Sequence, residues 1–100
     1  MSCRLDKFVW SVRLAKTRSI ATELVSKNKV LLNDASVKPS KEVRIGDTVT
    51  IIKHTAKFTY KVIQLLDKRV GAKLVQDYVI NITSQEEIDN FKLSESLINL

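Results

Sequence analysis

The chain has 100 residues, 44% of them apolar and 28% charged, with a formal net charge of +6. That is enough for one compact domain around one core and too little for two. One cysteine and one histidine exclude an internal disulfide framework and a protein-built zinc site, so no metal and no cofactor is expected.

In chain order, Leu5, Phe8, Val9, Val12 and Ala15 recur at helical spacing and predict a first helix from Leu5 to Ala15. Thr17 and Ser19 are helix N-cap types. The stripe resumes at Ile20, Ala21, Leu24 and Val25, so a second helix of about two turns is expected to begin near Ser19. Asn28 is suited to end it, because asparagine tolerates the left-handed conformation common after a helix. Val30-Leu31-Leu32, the Asn33-Asp34 turn and Val37 ahead of Pro39 read as a small hairpin. Gly46-Asp47 opens a β-branched strand at Thr48 to Ile52, and Phe58 to Ile63 alternates apolar and polar residues as a half-buried strand does. Val70, Leu74, Val75 and Tyr78 predict a short third helix, lying across the sheet or along helix one. Ser84 and Glu87 form a capping box ahead of Ile88 and Phe91.

Charge is distributed unevenly. Residues 1–61 hold 13 Lys and Arg against 5 Asp and Glu, net +8, whereas residues 80–100 hold one against four, net −3. A basic body of this kind attracts phosphate. A membrane-surface role would need a broad apolar helix face beside the charges, and no such face is present. Nor is there a run of 18 uncharged apolar residues or an export-type leader, so no membrane partner is expected and residence is expected to be cytoplasmic.

The strongest candidate site is Lys16-Thr17-Arg18-Ser19. Free amides at a helix start, two hydroxyls and two cations there all favour a phosphate oxygen. Arg4, Lys7 and Arg13 precede it on helix one, and Lys29, Lys38 and Lys41 follow downstream. The competing interpretation is a capped helix carrying solvated charges.

The segments RLDKFVW, RLAKTRSIA, VLLN, VKPSKEV and GDTVTI resemble, in order and spacing, the S4-type RNA-binding domain over about Arg4 to Ile52. The run from Lys68 to Val75 is similar to the C-terminal extension of the heat-shock protein 15 family. The resemblance implies an α+β fold, with two short N-terminal helices packed on a small antiparallel sheet and a helical C-terminal extension. It implies a stand-alone, non-catalytic protein that binds structured rRNA or tRNA, and a monomer is expected. Association with the large ribosomal subunit is implied too, in the rescue of stalled subunits that carry peptidyl-tRNA. On this resemblance Arg4, Lys7, Arg13, Lys16, Thr17, Arg18 and Ser19 lie on the RNA-contacting helix pair, and Asn33, Lys38 and Ser40 on the hairpin edge. The expected division is an RNA-binding domain with its strand extension at 1–63, a helical extension at 64–80 and a partly disordered acidic tail at 81–100. Asn28 and Asp34 stand where the family often has glycine.

An alternative function is positioning RNA in trans for an RNA-modifying enzyme such as a pseudouridine synthase, since the same domain type is attached to such enzymes. Asp6 reads as a partner of nearby cations rather than as an acid catalyst, because no second carboxylate, histidine or nucleophile has a defined spacing to it. His54 reads as a solvated loop residue and Cys3 as incidental in a flexible start. Trp10 has two readings, a core residue beneath the Val70 to Tyr78 segment or a platform for a base. For the tail, packing of its first half and disorder of its end are expected.

Overall fold

The computed structural model describes residues 3–98. In chain order the elements are β1 (Cys3–Arg4), α1 (Leu5–Ser11), α2 (Arg18–Ser26), β2 (Val30–Leu32), β3 (Glu42–Val43), β4 (Thr48–Lys53), β5 (Ala56–Val62), a 3-10 helix (Ala72–Asp77), β6 (Val79–Asn81) and α3 (Gln85–Ile98). One antiparallel sheet has the order β2-β4-β5-β6, and a small ladder pairs β1 with β3. This is the expected α+β arrangement.

The helical stripe is buried as its spacing predicts. Leu5, Phe8 and Val9 of α1 and Ala21 and Val25 of α2 are fully inaccessible. They meet Val30 and Leu32 of β2 and Val49 and Ile51 of β4 in one core. The register Val30↔Ile51 and Leu32↔Val49 puts those four side chains on the same face of the sheet, as the period of two requires.

Helix one is shorter than its apolar pattern suggests, ending at Ser11 rather than Ala15. Arg13 takes φ 65°, its N–H donates to the Trp10 carbonyl at 3.0 Å, and the Leu14 N–H donates to Val9 at 2.9 Å. Those two bonds make a Schellman ending with arginine in the position usually given to glycine. Val12 and Ala15 remain buried, so the stripe records burial beyond the point where the helix stops. Helix two ends in the same way: Asn28 at φ 61° donates to Val25 at 3.1 Å, and Lys29 donates to Leu24 at 2.8 Å.

The hairpin expected at residues 30–37 is limited to its turn. Leu32 and Ala35 exchange two backbone hydrogen bonds of 3.0 Å, with Asn33 and Asp34 at positive φ, but the ladder partner of β2 is β4. The chain instead carries Pro39 and Lys41 to the start of α1. Their carbonyls accept the N–H groups of Asp6 and Leu5 at 3.1 and 2.8 Å, satisfying two donors that a helix start leaves open.

The 64–80 segment holds a 3-10 helix, and it also supplies most of β6, which the sequence pattern had not revealed. β6 pairs with β5 through Val62↔Val79. Trp10 is half-buried against the core, as are Val70, Val75 and Tyr78. Cys3 is 2% exposed in a strand rather than in a flexible start, and burial pushes its thiol above the usual value. The capping box is half formed: Ser84 Oγ accepts the Glu87 N–H at 3.3 Å, while the Glu87 carboxylate accepts the Lys57 N–H at 2.9 Å. Phe91 sets α3 on the β4–β5 hairpin by an edge-to-face contact with Phe58, centroids 5.0 Å apart. The disorder expected at the tail's end concerns in part residues 99 and 100, which lie outside the described residues.

Asp6 joins the two helices from within. The residue is 2% exposed. Its carboxylate accepts from Arg4 Nε and Nη2 at 3.2 and 3.0 Å, from the Lys7 N–H at 2.7 Å and from Thr22 Oγ1 at 3.0 Å. Arg18 Nη2 stands 3.8 Å away. Asp6→Asn keeps an acceptor for the Lys7 N–H, puts an amide NH2 where the second oxygen accepts from Thr22 and Arg4 Nη2, and removes the charge that holds two half-exposed guanidiniums. Chemical denaturation is expected to show a loss of about 1–3 kcal/mol, the range for charge-assisted bonds, and not the larger penalty of a stranded buried ion, since both arginines still reach water.

Candidate nucleic-acid interface

The loop between the helices leads into a regular helix start. Thr17 is the N-cap of α2 and its Oγ1 accepts the Ile20 N–H at 3.1 Å, while the Ala21 N–H returns to the Thr17 carbonyl at 3.1 Å. The amides of Arg18 and Ser19, at the first two positions of α2, have no intrahelical acceptor. Thr17, Arg18 and Ser19 are all exposed, and the partial positive charge of the helix start adds to the Lys16 and Arg18 heads beside it. Two exposed N–H groups, a hydroxyl and two cations therefore sit within four consecutive residues.

Arg4 and Arg18, 14 positions apart in sequence, come together on Asp6. Their side chains remain 52% and 47% exposed, so the carboxylate orients them without removing them from solvent. Lys38, Ser40 and Lys41 are exposed and belong to the loop whose carbonyls cap α1. That loop brings them to the same end of α1 as Arg4, and β1–β3 pairing sets Arg4 opposite Glu42. Lys7 is half-buried.

Arg13 and Lys16 lie at the other end of α1, on the wall of a recess of about 500 Å³. Lys53 and Arg69, two cations that the sequence reading did not select, line it with them. Arg69 closes the C-terminal end of α1: Nε donates to the Trp10 carbonyl at 3.1 Å and Nη2 to the Ala15 carbonyl at 3.2 Å. Its guanidinium also stands 5.6 Å from the Trp10 ring centroid, so Trp10 has the core role with a cation over it. Lys29 is exposed and is anchored beside the recess, because its carbonyl accepts the Ile52 N–H at 2.8 Å. A signal for Arg69 was present in the Lys68 to Val75 run. None marked Lys53 beyond its position at a strand end.

Asn33 stands apart from this group. Its amide donates to Asp47 at 3.1 Å and its carbonyl oxygen accepts the Thr48 N–H at 2.9 Å, so its side chain locks a turn. The neighbouring recess contains Lys41 and Arg44 together with Glu42 and Asp47, two positive charges against two negative. Lys27, likewise, is paired with Glu23, whose carboxyl the Lys27 hydrogen bond holds below the usual range. Among the described residues Arg13, Lys16, Lys53 and Arg69 form no ion pair with a carboxylate, and no group of three or more His, Cys, Asp or Glu side chains gathers to hold a metal.

A family model of the S4 domain matches residues 3–49, from β1 to the start of β4. The chain is 35% identical over 98 residues to a heat shock protein 15 homolog of Haemophilus influenzae, covering 94% of this chain and 75% of that one. It is 46% identical over 48 residues to the RQC P-site tRNA stabilizing factor of Helicobacter pylori, covering 48% of this chain and 57% of that one. Among solved structures, the trimeric structure of Vibrio cholerae heat shock protein 15 superposes with a TM-score of 0.80 at 31% identity, over 97% of this chain and 96% of that one. Both the S4 segment and the strands and helices that follow it are thus shared with the Vibrio cholerae structure, the match to the Haemophilus influenzae protein runs nearly the whole chain, and the chain belongs to the heat shock protein 15 family.

Proposed function

We propose that this protein is a non-catalytic RNA-binding factor that grips structured rRNA or tRNA with its helix pair and works at the large ribosomal subunit, in the rescue of subunits stalled with peptidyl-tRNA. The observation that carries this reading is the exposed junction of α1 and α2. It combines the free amides of Arg18 and Ser19, the Arg4–Arg18 pair fixed on Asp6, and the heads of Arg13 and Lys16, which meet no carboxylate among the described residues. Such a surface binds the backbone and fixes orientation. It carries little base information, as suits a ligand recognised by its fold.

The RNA-contacting set in this reading is Arg4, Lys7, Arg13, Lys16, Thr17, Arg18, Ser19 and Lys29, with Lys38, Ser40 and Lys41 at the α1 start. Asn33 contributes through the turn it locks. The name of the Helicobacter pylori relative, a P-site tRNA stabilizing factor, supports the ribosomal setting. We take residues 1–63 as the binding domain, 64–80 as the segment that supports α1 from behind, and 81–100 as the acidic tail. The tail packs by Phe91 and Glu87 on the β4–β5 hairpin. The functional unit is taken as a monomer in the cytoplasm, and the trimeric assembly is a description of the Vibrio cholerae protein.

Replacing Lys16 and Arg18 with alanine and Arg13 with glycine removes three cations while keeping a residue at position 13 suited to φ 65°. Binding to an rRNA hairpin is expected to weaken strongly, and the slope of log affinity against log salt to flatten by about 2 to 3. An unchanged slope contradicts the assigned face. In sucrose gradients the tagged wild-type chain should co-sediment with large subunits, more so when peptidyl-tRNA is stranded on them. Sedimentation with an RNA-modifying enzyme and away from the subunit peak would contradict the ribosomal reading and favour the alternative of a positioning role in trans.

A further inference from the structure

The recess beside the junction has a chemistry that backbone binding alone does not use. Its floor is apolar: Leu14 and Leu24 are half-buried there, Ile51 is 3% exposed and Ile20 is 41% exposed, while Ile52, whose side chain the strand period turns to the opposite face from Ile51, borders the recess with its backbone. Around this floor stand Arg13, Lys16, Lys53 and Arg69, none of them paired with a carboxylate among the described residues. Two of the four are held in place. Arg69 is bound to the Trp10 and Ala15 carbonyls, and Arg13 Nη1 donates to the Val70 carbonyl at 3.4 Å. Carbonyl contacts orient a guanidinium and leave its charge uncompensated.

A phosphodiester backbone is strongly hydrated and has nothing to gain from an apolar floor, whereas a neutral apolar ligand leaves four cations without a counter-charge. The ligand that satisfies both is flat and weakly polar on one part and anionic on the other. The volume of about 500 Å³ falls within the range of roughly 300–1,000 Å³ typical of small-ligand sites. We propose that this recess receives one unstacked nucleobase of the bound RNA, with the base on Ile20 and Leu24 and its phosphate between Lys16 and Lys53. The proposal rests on the RNA-binding reading above, since Arg13 and Lys16 belong to both surfaces and make them continuous. It adds that the ligand has a bulged or looped nucleotide next to the stem that the helix pair holds.

Amide NMR titrations of the full chain with three probes test it: adenosine 5′-monophosphate, inorganic phosphate and a blunt RNA duplex. The nucleotide is expected to shift the Lys53 amide as phosphate does and, unlike phosphate, those of Leu24 and Ile52 as well, and Ile20→Ser, at an exposed floor position, should weaken that second response about fivefold. The duplex offers no unstacked base and should shift Arg18 and Ser19 while leaving Leu24 and Ile52 in place. Nucleotide shifts confined to the residues that phosphate also moves, or recess residues that answer to a short Glu/Leu peptide and not to the nucleotide, overturn the proposal. Failure of the RNA-binding reading is a different result, a duplex that leaves Arg18 and Ser19 unmoved.

Discussion

A single buried carboxylate organises the working end of this molecule. Asp6 lies at the start of α1, nearly inaccessible, and its oxygens collect a backbone amide, the Thr22 hydroxyl and two arginines whose outer atoms still meet water. Carboxylates are rarely tolerated inside a core unless each lone pair has a donor. Here the donors come from β1, α1 and α2, so satisfying the charge requires the helix pair to hold one mutual position. Fixing that position also fixes which way Arg4 and Arg18 point. Stability and presentation of the cations are thus two consequences of one contact set.

The remaining devices keep this arrangement short and rigid. Both helices end in Schellman turns, one at Arg13 and one at Asn28, so a loop of six residues, 12–17, carries the chain from α1 into α2. The Pro39 and Lys41 carbonyls close the front of α1 and Arg69 closes its back. Each closure brings cations with it: Lys38 and Lys41 at the front, Arg69 at the back. Like charges gathered in this way repel one another, and the neighbouring carbonyls and the apolar packing of α1 against α2 offset that repulsion in the free protein. A polyanion relieves it, which is why the same cluster reads as a binding surface rather than as a source of stability.

How far this was legible in the residues depends on the kind of signal. Burial was readable, since Leu5, Phe8, Val9, Val12 and Ala15 are all inside at the spacing that predicts it. The end of α1 was not, because an arginine in a left-handed turn has no compositional mark and its support, Arg69, lies 56 positions along the chain. Asn28 and Asp34 at positive φ follow directly from their turn chemistry. The partner of β2 was misjudged because the local turn closes Leu32 on Ala35 along one edge and goes no further, while the ladder forms on the opposite edge with β4, a distant strand that only tertiary packing selects. β6 is three residues long, too brief for a period to show. In the site, Lys16 to Ser19 declared itself by type and spacing. The convergence of Arg4 with Arg18, and of Lys53 with Arg13, exists only once the chain has folded.

The central claim is that RNA meets the protein at the junction of α1 and α2. Amide hydrogen exchange, followed with and without a structured rRNA hairpin, tests it most directly, because the amides of Arg18 and Ser19 are open to solvent by construction and have no other reason to become protected. The account predicts that bound RNA slows exchange across residues 13–22 and leaves β6 and α3 unchanged. Protection concentrated on β6 or α3, with exchange at Arg18 and Ser19 as fast as in the free protein, would contradict it.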